Sequence, residues 1–460
     1  MTVPVRAVRA AALVLAVALP LPAAAVEVQR VVSPMGIEAW LVENDAVPVI
    51  AMDFAFKGGL PSDPKGKEGR SNLVSTLLDE GAGDLTSEEF QRRLADAAIR
   101  LDFTAGVDAF YGSLKTTSRY SEEAFGLLEL ALTEPRFDED AVARMKAAVA
   151  SQIRRIVNEP DWIARRAYYD AAFPDHPYGQ PSRGTIETLA NIEIADLRAF
   201  VDNRFARDNL VVGVAGDISA EELGRVLDDV FGSLPEHAAP LDVPPTEAQA
   251  RGETILVRRD GPQSELLMAQ EGIARDDPDY YAAIVMNYLL GGGGFESRLT
   301  EELRAKRGLT YGVGSYLVEF DEAELLMLQS ALSNENVAEA LDLIRREWGK
   351  MKREGVTEEE VANAKTYLTG SFPLSLTSTD QISGMLIGMQ IEELGIDYLD
   401  TRNDRIEAVT VGDVNRVAAE LLAPDALTTV IVGQPTGELN PDRTRNASEI
   451  AARELGLDNS

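Results

Sequence analysis

The spacing of apolar and polar positions changes in the same order twice along this chain. VPVIAMDFAF (47–56) and TILVRRD (254–260) alternate with period two, which predicts strands. FDEDAVARMKAAV (137–149) and VTEEEVANAKTYL (356–368) each open on an acidic turn and continue with helical spacing, which predicts helices. IADLRAFVDNRFARDNLVVGVAGD (194–217) and VGDVNRVAAELLAPDALTTVIVGQ (411–434) each read as an amphipathic helix, a short turn and a buried strand ending in glycine. The last two segments align without a gap: Asp196 with Asp413, Leu210 with Leu427, Gly216 with Gly433. Two units of about 215 residues make a duplicated domain rather than a solenoid. Between them, EHAAPLDVPPTEAQARGE (236–253) holds three prolines and mixed polarity, the composition of a linker. The expected organisation is a first domain over 26–235, a linker over 236–253 and a second domain over 254–460. Strands and helices come in groups, so the predicted class is α+β with mainly antiparallel sheets, not a doubly wound parallel sheet.

Residues 1–25 follow a different pattern. Arg6 and Arg9 precede the short apolar run AALVLAVALPL, and Pro22-Ala23-Ala24-Ala25 supplies small residues for cleavage. This predicts a secretory signal peptide ending near Ala25. No later stretch approaches about 18 consecutive apolar residues, so no membrane insertion is expected after cleavage. The chain of 460 residues has no cysteine. That excludes disulfides, thiolate catalysis, Fe–S clusters and Cys-based zinc sites, and an exported protein of this kind suits the bacterial periplasm. The formal charge of −32 becomes −34 when the two signal arginines leave. Such a surface repels nucleic acid and anionic lipid. It suits basic peptides or a basic partner surface, or serves solubility alone.

The richest segment for chemistry is GGGGFESRLTEELRAKRGLTY (291–311). It couples a four-glycine turn to a helix bearing Arg304, a break at Gly308, and Tyr311 at the start of the strand-like run TYGVGSYLVEF. A guanidinium and a phenol at this spacing can hold a peptide and donate hydrogen bonds, but they cannot cleave it unaided. Taken alone, Arg304 also reads as a charge favourable to a helix terminus, and Tyr311 as a packed strand residue. GGGGFESR lacks the Gly-Lys-Ser/Thr ending of a phosphate loop and follows a helix, which argues against nucleotide binding. No G-x-S-x-G elbow is present. Asp79 and Glu80 form one of many acidic pairs, without an apolar setting that would raise a pKa. Trp162, Trp348 and the group Met385, Leu386 and Met389 read as packing residues.

The tandem halves, PDHPYGQPSRGTIETLANI (174–192) and NYLLGGGGFESRLTEELRAKRGLTYGV (287–313) together resemble the M16 metallopeptidase family, the insulinase, pitrilysin and processing-peptidase group. The resemblance covers nearly all of the chain after residue 25. It implies a clam-like α+β fold, two similar halves per subunit, and two subunits enclosing a chamber that receives peptides. Active members carry His-x-x-Glu-His on a helix and a distal glutamate. That spacing lets two imidazoles bind one Zn²⁺ while the glutamate activates its water. In GKEGRSNLVSTLLDEGAG (66–83) those positions hold Asn72, Ser75 and Thr76, and the distal position falls at Gln152. None of these side chains is an effective zinc ligand or a general base near neutral pH. The only histidines, His176 and His237, sit in a turn and in the linker. No metal is therefore expected in this chain.

By the same resemblance, Arg304 and Tyr311 match a pair that reaches toward the zinc site, and some bacterial members split the zinc motif and this pair between two chains. The resemblance thus implies a non-catalytic, periplasmic subunit. It would form a heterodimer with a zinc-motif homologue, which supplies the metal. Tyr311 would stabilise the oxyanion in trans, Arg304 would hold substrate, and Gly291, Gly292, Gly293 and Gly294 would let backbone approach closely, at the turn or beside substrate. The alternatives are a peptide-binding or assembly protein of the same fold, and a homodimer with an unrecognised metal site.

Overall fold

The computed structural model describes residues 27–249 and 251–457; the expected signal peptide lies outside them. Two six-stranded sheets carry the molecule. The first contains β1 (Gln29–Val32), β2 (Glu38–Glu43), β3 (Val49–Lys57), β4 (Arg100–Ala105), β5 (Ala109–Thr117) and β6 (Leu210–Gly216). The second contains β7 (Thr254–Arg258), β8 (Gln263–Glu271), β9 (Thr310–Phe320), β10 (Ala323–Ser333), β11 (Thr428–Gly433) and β12 (Arg443–Asn446). The first sheet runs β1-β2-β6-β3-β5-β4, and the second runs β12-β7-β11-β8-β10-β9. The two orders correspond strand for strand. Each sheet has one parallel central pair, β2 with β6 and β7 with β11, inside a mainly antiparallel set. The edges differ: β1 is antiparallel to β2, whereas β12 is parallel to β7. This is the α+β class predicted from the sequence.

The aligned glycines have one physical reason. At Gly216 a Cβ would stand 2.0 Å from the Val49 carbonyl oxygen, and at Gly433 it would stand 2.2 Å from Ser264 Oγ. Each glycine closes its strand where the antiparallel neighbour begins, and only a residue without a side chain fits there.

In the first half the helices include α1 (Arg70–Ser75), α2 (Glu139–Ile156), α3 (Pro160–Ala172) and α4 (Ile194–Arg204). In the second they include α5 (Tyr280–Asn287), α6 (Val337–Glu354), α7 (Glu358–Ser371), α8 (Thr379–Ile391) and α9 (Val411–Leu421). Most cover the outer face of their own sheet. Trp348 of α6 is fully buried there and donates its indole N–H to Gln270 Oε1 at 2.8 Å.

Two helices cross to the other half. α3, with Pro160 preset for its first turn, sets Ile163, Ala167 and Tyr168 against Ile255, Leu267 and Val430 of the second sheet. α8, N-capped by Ser378, sets Ile382, Leu386 and Met389 against Trp40, Val42 and Ala215 of the first. Gly213 admits α8, since a Cβ there would lie 2.6 Å from the Ser383 carbonyl oxygen. The Ser383 hydroxyl donates to half-buried Asp53, and Gln390 Nε2 donates to the Val212 carbonyl at 2.9 Å. Each half thereby supplies the inner cover of the other.

Residues 236–249 have no regular structure, yet they are tied down at several points. Ala239 N–H donates to Asn203 O at 3.0 Å, Thr246 N–H to Glu322 O at 3.0 Å and Gln249 N–H to Ala172 O at 2.8 Å. His176 lies 2.9 Å through Nε2 from the Pro244 carbonyl, and its Nδ1 accepts from Tyr178 N–H at 3.2 Å. Both ring nitrogens of His176 are thus committed to backbone.

Candidate functional site

The first half presents α1 between β3 and the edge strand β4. Its start is a left-handed turn at Gly69, φ 89°. A Cβ there would lie 2.3 Å from the Arg183 carbonyl oxygen. Asp63 holds this turn by accepting from Gly69 N–H at 2.9 Å, Ser71 N–H at 2.8 Å and Ser71 Oγ at 3.1 Å. Ser75 Oγ donates to the Asn72 carbonyl at 2.8 Å, and Thr76 Oγ1 donates to the Leu73 carbonyl at 2.8 Å. These hydroxyls serve their own helix, a common use of Ser and Thr side chains. Asn72 Oδ1 is buried without a hydrogen-bond partner, and Gln152 is exposed on α2. One orphaned amide oxygen beside two committed hydroxyls does not fit a zinc ion. Among the described residues, no group of three or more His, Cys, Asp or Glu side chains stands ready for a metal.

Asp79, just beyond α1, departs from the sequence expectation. The segment Ser87–Asp96 folds over it, and burial pushes its carboxyl above the usual range even though Gln91 Nε2 donates to it at 2.8 Å. Period and composition do not reveal this cover because Gln91 is twelve residues away. Glu80 meets other partners, Ser87 Oγ at 2.6 Å and the Arg144 guanidinium. The two carboxylates thus have separate hydrogen-bond partners.

The second half presents its chemistry at the corresponding place, between β8 and the edge strand β9. α5 runs into a π-turn, Tyr288–Gly292, and a second π-turn covers Glu301–Ala305. Single π-turns occur frequently at functional sites. The glycine run explains the first. A Cβ on Gly291 would lie 2.5 Å from Ser315 Oγ, on Gly292 2.8 Å from Asn287 Nδ2, and on Gly293 2.7 Å from the Tyr288 carbonyl oxygen. Gly294 takes φ 56°. The close approach that Gly291, Gly292 and Gly293 permit is to the protein itself, whereas a Cβ on Gly294 would meet nothing within 4 Å. Ser315 Oγ donates to Asn287 Oδ1 at 2.6 Å and clamps the turn to β9.

Arg304 is exposed at the end of the second π-turn, and its guanidinium lies over the Phe295 ring at 4.5 Å. It makes no ion pair or side-chain hydrogen bond among the described residues, whereas neighbouring Lys306 and Arg307 both pair with Glu302. Tyr311 is 86% exposed, with no hydrogen bond to its hydroxyl among the described residues. A β-bulge causes this. Thr310 pairs with Leu332 and Val313 with Ser330, so β9 has one residue more than β10 there. Thr310 Oγ1 accepts from Gly312 N–H and Ser330 Oγ, both at 3.1 Å. Thr310 and Val313 both face the helices, which leaves Tyr311 and Gly312 to share one place on the open face.

Phe295 was not singled out from the sequence. Its signal was a lone large apolar residue between glycine and glutamate in a turn, and it is 73% exposed. The structure thus gathers Arg304, Phe295 and the glycine turn, with Tyr311 on the adjoining strand. No hydrogen bond, ion pair or ring contact links these residues to Asn72, Ser75, Thr76 or Gln152 among the described residues.

Residues 191–368 match the family described as "Peptidase M16 inactive domain", a stretch that begins in the first half and crosses into the second. An uncharacterised zinc protease of Bacillus subtilis is 25% identical over 423 residues, 90% of this chain and 99% of the relative. A non-peptidase homologue of Helicobacter pylori is 24% identical over 379 residues, 81% of this chain and 86% of the relative. The crystal structure of a peptidase M16 inactive domain from Pseudomonas fluorescens superposes with a TM-score of 0.83 at 27% identity, covering 90% of this chain and 99% of that one. The duplicated α+β fold, the α1 unfit for zinc and these relatives make the chain similar to M16 peptidases, and its residues 191–368 match the inactive-type domain of that group.

Proposed function

We propose that this chain is the non-catalytic, exported subunit of a zinc metallo-endopeptidase and pairs with a homologous chain that bears the zinc motif. One observation carries the reading: among the described residues the Arg304 and Tyr311 side chains are exposed, with no ion pair or hydrogen bond, while the helix that would hold a metal offers no donor set. The metal chemistry would belong to the partner. Tyr311 would donate its hydroxyl proton to the oxyanion that develops on the scissile carbonyl, a contact whose loss typically costs about 10²–10³ in rate. Arg304, stacked on Phe295, would offer its fork of N–H donors to substrate carbonyls. The acidic surface favours basic substrate segments, and the N-terminal signal supports a periplasmic location.

The test is to purify the chain alone and again with a co-expressed zinc-motif homologue. Chelator-sensitive peptidase activity is expected only from the pair; the same activity from the chain alone overturns the proposal. The name of the Helicobacter pylori relative, a non-peptidase homologue, supports a second reading, a peptide-binding or assembly protein of the same fold. A stable pair without peptidase activity would favour it.

A further inference from the structure

The inner face of the second sheet is only partly covered. α3 lies over β7, β8 and β11 and leaves the edge strand β9 open. Tyr316, Val318 and Phe320, alternate residues of β9, are therefore half-buried and form one wall of a cavity of about 460 Å³. The first half closes the other side with Leu60, Val107, Trp162 and Tyr169. Size and lining suit a large apolar side chain, with rings placed for edge or face contacts.

The charges around this cavity oppose those of the rest of the molecule. Asp and Glu account for 76 of 460 residues, yet none lines the cavity, whereas Arg165, Arg166 and Arg183 do. The charge of Arg166 is already neutralised by Asp170 and buried Glu454, and it donates to the Gly179 carbonyl. The other two are less fully matched. Arg183 has no ion pair and no side-chain hydrogen bond among the described residues, and Arg165 has only Asp161 at 3.9 Å, with both side chains about half exposed, and the charge of nearby Glu265. An apolar cavity with no carboxylate in its lining, one guanidinium without a counter-charge among the described residues and a second only loosely paired selects a ligand that is apolar with an adjoining anion.

We propose that this cavity binds the carboxy-terminal residue of a peptide. An aromatic or large aliphatic side chain enters between β9 and α3, and the terminal carboxylate rests on Arg183 and Arg165. The site is separate from Arg304 and Tyr311 and requires no partner chain. It sits toward the far end of β9, roughly 17 Å from Tyr311 at about 3.4 Å per residue from Tyr311 to Tyr316.

Intrinsic fluorescence reads this site in the purified chain. Of the three tryptophans, Trp40 and Trp348 are buried and away from the cavity, and Trp162 lines it. N-acetyl-Ala-Phe with a free carboxylate is expected to shift the emission saturably, and calorimetry should give the same affinity. Its amide and N-acetyl-Ala-Gly acid should each bind at least about tenfold more weakly. Arg183→Gln should remove the preference for the acid over the amide, and Trp162→Phe should silence the optical signal while calorimetric binding persists. Equal binding of acid and amide, an unchanged preference in Arg183→Gln, or no saturation at millimolar peptide overturns the proposal. Because all measurements use the chain alone, failure here leaves the subunit reading intact, and failure of that reading leaves this site intact.

Discussion

The segment from β3 to β4 and the segment from β8 to β9 occupy the same place in a duplicated topology and present opposite chemistry. In the first, Ser75 and Thr76 donate to their own helix, Asp63 caps the turn, and Arg70 lies 3.6 Å from Asp63 with both side chains buried. Its polar groups are turned inward, and two of them, Asn72 Oδ1 and Arg70 Nε, are buried without a hydrogen-bond partner. In the second, glycines and the Asn287–Ser315 clamp consolidate the backbone, and Arg304, Phe295 and Tyr311 are left facing solvent. A duplicated fold conserves the strand order because backbone pairing and apolar burial depend on pattern. The side chains between strands are free to diverge, so one copy can lose a metal site while the other keeps exposed donors.

The contrast can be broken in order of expected effect. In the complex with a zinc-bearing homologue, Tyr311→Phe should lower kcat by about 10²–10³ while co-purification is unchanged; the corresponding change at a position turned inward, Ser75→Ala, should leave kcat alone. Unchanged turnover in Tyr311→Phe would remove the distinction between the two segments.

Leu386→Ala tests whether the halves can be considered apart. Leu386 is fully buried on the opposite half's sheet, and its truncation should cost about 2–5 kcal/mol. Chemical denaturation should show one transition moved to lower denaturant. Two separate transitions, with only the second half affected, would show that the exchange of α3 and α8 does not couple the sheets.

A titratable contact joins the two hairpin turns. Asp108 accepts from Tyr178 Oη at 2.8 Å and from Asp321 N–H at 3.1 Å, and Glu322 N–H donates to Tyr178 Oη at 3.0 Å. Burial, opposed by the Tyr178 bond and reinforced by the Asp321 and Glu322 charges, pushes the Asp108 carboxyl up to about 6. A folded value above the unfolded one means that this group's contribution is present below about pH 4 and is lost as pH rises through about 6. Melting temperature should therefore fall between pH 5 and 7 by the equivalent of about 1 kcal/mol after screening. Asp108→Asn should flatten that part of the profile; an identical slope in the variant would exclude Asp108 as its source.

The smallest effect belongs to Phe295→Ala. Removing the ring under Arg304 should cost about 0.5–1 kcal/mol of substrate binding in the complex. It should appear in KM rather than kcat, with stability of the isolated chain unchanged. A change in kcat alone would mean that Phe295 acts on the reacting groups instead of on Arg304.

Much of the framework was legible in one dimension. The gap-free alignment of 194–217 with 411–434 corresponds to α4 with β6 and α9 with β11, down to the glycines that close both strands. That Asn72, Ser75, Thr76 and Gln152 are poor metal ligands was equally legible, because ligand chemistry is a property of residue type. Phe295 and the cover over Asp79 were not visible, because each depends on a neighbour that only the folded chain brings close.

By itself the sequence determined the periodicity of each element, the duplication, and which side chains can or cannot bind a metal or donate to a peptide. These follow from local pattern and intrinsic chemistry. The tertiary structure alone decided that α3 and α8 exchange halves, that the glycines of 291–293 face the protein's own backbone and side chains, and that a bulge turns Tyr311 to the open face. It also decided that a cavity lined without carboxylates forms in so acidic a chain. Each of these depends on which surfaces meet through space, and the competition among faces for burial is settled only when all the strands and helices are packed together.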